Sequence, residues 1–184
     1  AAINAAEKVM IRLGAADAPA QLTDNGRAML RFPVHPRQAR LLVAARKAGI
    51  VDLGAAAAAL LELGPAQVPP QPVLRSGLCD LTAQIDHWRT ALDRRQPWAL
   101  HVQRSYTQLY RLANDSRGAK VDEEPDPAAG RPDDTERTLR RALLTAYPDR
   151  VARAKSGGGS RQGQRELLLA DGGRLTQTEA SSVH

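Results

Sequence analysis

Apolar residues recur along this chain at spacings of three and four, and the pattern breaks at prolines and glycines. Residues 1–14 place Ala5, Ala6, Val9, Met10 and Leu13 on one face and stop at Gly14, which predicts an amphipathic helix. A short extended piece follows over 16–22, and Thr23 is then placed to cap a helix from Asp24 toward Leu30 by accepting backbone N–H bonds. Helix, short wing and helix together read as the tail of a winged-helix unit. Pro36 suits a first helical turn, where its missing N–H has no partner to lose, and Ala39, Leu42, Val43 and Arg46 continue to Gly49. Val51–Leu63, with alanine at every position from 55 to 59, predicts a second helix that a neighbour can approach closely. The two read as a helical hairpin.

Pro65, Pro69, Pro70 and Pro72 forbid a helix over 64–76. Leu78, Leu81, Ile85, Trp88 and Leu92 then draw one narrow apolar stripe that ends before Pro97, and Trp98, Val102, Tyr106, Leu109 and Ala113 draw the next. Both read as core stripes. Residues 115–134 turn to Pro, Gly and acids, including Asp122, Glu123 and Glu124, and predict a disordered acidic loop. Thr135 is expected to cap a last helix that buries Leu139, Leu143, Leu144 and Tyr147 and closes at Pro148. The glycines at 157–159 predict a flexible segment, and Leu167-Leu168-Leu169 before Asp171-Gly172 predicts a hairpin with a two-residue turn. That turn would set Leu168 opposite Leu175 and leave an apolar edge able to recruit another chain.

Composition supports this mainly α class. The 184 residues are 42% apolar and 25% charged, enough for one domain or two small ones, and only 3% are aromatic. A core built from Leu, Ala and Val favours helix packing over a β-sandwich. Cys79 is the single cysteine, which excludes an internal disulfide or a multi-cysteine metal site and fits a reducing compartment; it is expected to be a small buried side chain. The four histidines have no paired spacing on a helix face. The glycine run lacks the Lys-Ser/Thr of a phosphate loop, so no catalytic or ATP-binding motif is found. No apolar run approaches the ~18 residues of a membrane span, and residues 1–6 lack the parts of a signal peptide. A cytoplasmic chain is expected. The start at Ala1 and the absence of a closing element near His184 read as a piece of a longer protein.

Charge adds a regional feature. Residues 137–174 hold Arg137, Arg140, Arg141, Arg150, Arg153, Lys155, Arg161, Arg165 and Arg174 against Asp149, Glu166 and Asp171, so the charge of this segment equals the +6 of the whole chain. Arginine suits phosphates because its planar donors engage two oxygens together. The first eight of these are therefore candidate nucleic-acid contacts, and Arg37 and Arg40 in the cluster with Arg46 and Lys47 form a second group. The alternatives are a solvated helix face offset by the acidic loop, or a docking surface for an acidic partner.

Two separated stretches carry a family resemblance. Leu22-Thr23-Asp24-Asn25-Gly26-Arg27-Ala28, followed by Phe32-Pro33-Val34-His35-Pro36-Arg37 and Ala39-Arg40, resembles the join between the winged-helix and ratchet domains of DEAH-box ATP-dependent RNA helicases. Leu13-Gly14-Ala15 matches the residues before the family's wing. Ala146-Tyr147-Pro148-Asp149-Arg150-Val151-Ala152 and Leu168-Leu169-Ala170-Asp171-Gly172 resemble the HrpB branch of that family. Phe32 stands where the family has Leu, and Asp171-Gly172-Gly173-Arg174 stands where the branch has Gly-Arg-Gly. The resemblance implies a winged-helix remnant over 1–35, a helicase-associated helical bundle over 36–114, the acidic loop over 115–134, a last bundle helix and basic linker over 135–155, and the start of a C-terminal β region over 156–184. It further implies a ratchet-like region that packs on the RecA-like motor domains of its parent and contacts single-stranded RNA. ATP and Mg²⁺ would belong to those motor domains. The competing expectation is a docking module for an acidic partner or for the motor itself.

Overall fold

The computed structural model describes residues 2–17, 21–64, 67–69, 79–115, 132–154, 166–169 and 172–177. Among them are seven α-helices and five short strands, so the helical class read from the periodicity is the class observed. The acidic stretch 116–131, the glycines at 157–159, Leu78, Lys155, Arg161, Arg165 and Asp171 lie outside the described residues.

Helix α1 (Ala2–Arg12) leads to a two-residue ladder of β1 (Ala16–Asp17) and β2 (Gln21–Leu22), and α2 (Asp24–Met29) follows. Thr23 starts α2 as expected. Its hydroxyl oxygen accepts from the Gly26 N–H at 3.0 Å and its proton goes to the Gly14 carbonyl at 2.6 Å, which ties the helix start to the end of α1.

Helices α3 (Pro36–Lys47) and α4 (Val51–Leu63) form the hairpin, with Pro36 in the first turn of α3. Residues 54–60 of α4 are buried without a break, because α3, α5 (Asp80–Asp93), α6 (Pro97–Asn114) and α7 (Pro132–Ala146) all pack against it. Small side chains make that position possible. Gly54 lies so close to α3 that a Cβ there would collide with the Cβ of Ala45. The alanines of α4 supply little apolar area, and the larger Leu41, Leu42, Ile85, Val102, Leu109 and Leu139 of its neighbours fill the core around them. Trp88 is also buried there, with its indole N–H donated to the Ala99 carbonyl at 3.1 Å.

Several local readings change. Cys79 is half-buried at the N-cap position of α5, outside the core. Helix α7 begins at Pro132, so Thr135 lies inside the helix; proline at the first position opens it instead. Leu144 is 54% exposed, because it sits four residues beyond Arg140 and seven beyond Arg137 on the outer face, while Leu139, Ala142 and Ala146 face the core.

The C-terminal hairpin is part of a three-stranded antiparallel sheet in the order β3 (Ala152–Ala154), β4 (Glu166–Leu169), β5 (Arg174–Thr176). β3 ends the stretch expected as linker; Ala-Arg-Ala has no β-branched or aromatic residue to announce a strand. The triple-leucine strand is therefore central rather than an edge. Its turn is also longer than two residues: Leu169 N–H bonds to the Gly173 carbonyl at 2.8 Å and Gly172 N–H to the Leu169 carbonyl at 3.0 Å, with Gly172 at φ 88°. Leu169 and Gly173 thus close the turn, and Leu175 pairs with Leu167 while Leu168 pairs with Arg174. One extra turn residue shifts every cross-strand partner.

Candidate nucleic-acid interface

Arg137, Arg140 and Arg141 are exposed on the side of α7 opposite its buried Leu139, Ala142 and Ala146. Spacings of three and four put the three guanidiniums on one outer face, with the exposed Leu144 among them. Arg140 Nε lies 3.8 Å from Glu136, one turn earlier, a contact that screens only part of the row. After the helix, a single 3₁₀ turn (Pro148–Arg150) carries Arg150 into solvent, 4.0 Å from Asp149.

The sheet adds two more. Arg153 on β3, Leu168 on β4 and Arg174 on β5 are cross-strand partners in one row, so all three share a face. Glu166 is on that face too and lies 3.7 Å from Arg174. On the opposite face Leu167 and Leu175 are partners, with Leu169 beside them. A sheet that is basic on one side and apolar on the other can offer cations to a ligand only from the first.

Arg37 and Arg40 are placed differently from the exposed row. Arg37, with its side chain 12% exposed, donates from Nη1 and Nη2 to the two carboxylate oxygens of Asp149 at 2.5 and 2.7 Å. It also donates to the Ala146 carbonyl at the end of α7 and lies 5.4 Å over the ring of Tyr147. The bidentate bond holds the Asp149 carboxyl below its ordinary range and Arg37 above its own. Burial raises the Tyr147 phenol. Arg40 donates Nε to the Leu13 carbonyl at 2.9 Å, and burial lowers its pKa. Both arginines hold elements together. Lys155, Arg161 and Arg165 lie outside the described residues.

The structure also assembles cations that the segment count passed over. Arg104 and Arg111 are exposed on α6, and Arg31 and Arg46 each donate to the Asp115 carbonyl just beyond its end, at 2.8 and 3.3 Å. The seven-residue spacing of Arg104 and Arg111 was the available signal. A polar cluster nearby is structural: Tyr106 donates its hydroxyl to Asp52 at 2.6 Å while Arg89 holds the other Asp52 oxygen at 2.8 Å. Burial, then the bond to Asp52, push the Tyr106 phenol up to about 12, out of reach of acid–base work near neutral pH. No group of three or more metal-binding side chains occurs among the described residues.

The fold of the described residues is similar to part of a solved HrpB structure. That structure is the crystal structure of the E. coli DExH-box NTPase HrpB, similar with a TM-score of 0.59 and 23% identity over 97% of this chain. The chain spans 17% of that structure, and at this identity the likeness is one of fold. No family model matches the sequence, and no curated protein does.

Proposed function

We propose that this chain is an accessory nucleic-acid-binding region of an HrpB-like ATP-dependent RNA helicase, without catalytic activity of its own. The observation that carries the reading is the exposed row Arg137, Arg140 and Arg141 on α7, followed by Arg150 and by Arg153 and Arg174 on one face of the sheet. Guanidiniums held on the outer side of a packed helix can meet phosphates with little further loss of order. Single-stranded RNA is the proposed ligand and the parent's RecA-like motor domains the proposed neighbour. ATP and Mg²⁺ are then the business of those domains. No helix among the described residues is long and apolar enough to cross a membrane.

Binding to a labelled single-stranded RNA, followed across salt concentration, tests the reading. About four phosphates neutralised on the α7–sheet face contribute about −3 to the log–log slope, at about 0.7 per contact. Replacing Arg141, Arg150 and Arg153 by Ala should flatten that slope by about 2 on the same arithmetic. An unchanged slope would overturn the assignment. One observation favours the second reading, docking of an acidic protein surface: Leu144 is exposed among the arginines, an apolar centre with a charged rim. Competition by polyglutamate as strong as by RNA, with loss on Leu144→Asp, would support it instead.

A further inference from the structure

The outer face of α6 has no part in the interface described above. Arg104, Gln108, Arg111 and Asp115 follow one another at spacings of four, three and four, and all are exposed. They form one row, about 16 Å long at 1.5 Å per residue. At its C-terminal end Arg31 and Arg46, which lie 84 and 69 residues away in sequence, both donate to the Asp115 carbonyl oxygen. Two like charges meeting on one acceptor repel each other. They are held there by the negative pole of the α6 dipole. The row thus ends in a pair of converging guanidiniums and carries four arginines against the carboxylate of Asp115.

Along the row, Gln103, Arg104, Thr107, Gln108, Arg111 and Leu112 line an open depression with no acidic side chain among the described residues. Tyr110 is exposed on the flank next to Gln103 and Thr107, and its ring is stacked on Tyr106 with centroids 5.6 Å apart. Tyr106 is in turn fixed by its bond to Asp52, so the exposed ring is backed by a rigid one. A cationic row with a braced aromatic ring and amide side chains beside it fits a single nucleic-acid strand: phosphates take the arginines and a base takes the ring. An acidic peptide would use the arginines and leave the ring idle.

We propose that this face of α6 is a second strand-binding track, on which Arg104, Arg111, Arg31 and Arg46 hold phosphates of single-stranded RNA and Tyr110 stacks a base. The proposal rests on the nucleic-acid reading above, and the test separates the two. Anisotropy of a labelled twelve-nucleotide oligouridine is followed across salt for the native chain, Arg104→Gln/Arg111→Gln, Tyr110→Ala and Arg141→Ala/Arg150→Ala/Arg153→Ala, with circular dichroism as the check on folding. The α6 double variant should lose about 1.4 from the salt slope, at about 0.7 per contact. Tyr110→Ala should weaken binding about tenfold through lost stacking and leave the slope unchanged. Should the double variant fail to fold, Arg104→Lys/Arg111→Lys takes its place: its slope should hold while its affinity falls with the paired guanidinium bonds. Native-like binding by the α6 variants, beside a loss in the α7–sheet variant, overturns this track alone. An absence of oligouridine binding by the native chain overturns both readings, and equal displacement by polyglutamate with an indifferent Tyr110→Ala replaces the strand by an acidic protein.

Discussion

Arg37 illustrates how a single side chain gets its role from partners far along the chain. Its Nη1 and Nη2 make three bonds, to the two Asp149 oxygens and to the Ala146 carbonyl, which is an end-of-helix group lacking an intrahelical N–H. The stretches that carry the family resemblance, Pro36-Arg37 and Ala146–Ala152, therefore meet in space through this ion pair. Asp149→Asn removes the charge and one acceptor, leaving a guanidinium poorly hydrated; a loss of about 2 kcal/mol is expected, below the ~3–5 seen for fully buried pairs because some water remains. For a chain of this size that is a fall in Tm of roughly 5 °C. The carboxyl is depressed in the fold by Arg37, so its contribution is complete above the ordinary carboxylate pKa of 3.8 and is lost as pH falls through the lower folded value. Thermal melts should thus show a constant gap between native and Asp149→Asn from pH 7 to pH 5 that closes only at strongly acid pH. A gap that closes already near pH 6 would assign the stability to another group. The sequence displayed both residues, yet it presented Arg37 as a surface cation, because only its distant partners turn it inward.

At the scale of elements, the helices were legible because each buries a stripe that repeats every three or four residues. Helix α4 differs: residues 54–60 are buried on every side, and its alanines set how near the others come. At Gly54 the α3–α4 hairpin leaves no room for a Cβ against the Cβ of Ala45. Gly54→Ala gains about 1 kcal/mol of helix propensity, but the added methyl must push two backbones apart, at about 1–3 kcal/mol. A lower Tm is expected. Adding Ala45→Gly should recover most of the loss despite putting glycine in a helix interior, so a double-mutant cycle by thermal melting should give a clearly favourable coupling. Additive effects would mean that the helices are not in contact there. Strands were less legible. Strand pairing follows from the turn, and a turn of three residues in place of two set Leu175 opposite Leu167 and Leu168 opposite Arg174. β3 gave no signal of its own, since it is a strand only by virtue of lying beside β4.

Over the whole molecule, the helical bundle and the C-terminal sheet are joined through the Ala146–Ala152 stretch, where Arg37 secures Asp149. A chain ending after Val151 should keep its helical circular dichroism and melt within about 2 °C of the full chain, since the ion pair and every helix remain. Ending after Ala146 removes Tyr147 and Asp149 and should lower Tm by at least 5 °C, a cost of about 2 kcal/mol or more. Equal melting of the two truncated chains would show that this junction does not brace the bundle. The sequence by itself determined the helical class, the starts at Thr23 and Pro36, the buried stripes of α5 and α6 and the regional excess of arginine, because caps, periodicity and charge are properties of neighbours in the chain. Only the tertiary structure decided which arginines remain outside. It turned Arg37 inward, left Leu144 among exposed guanidiniums, and brought Arg31 and Arg46 to one carbonyl at the end of α6. A charge has the same sign wherever it stands, but its partners and its access to water depend on which helix packs against it.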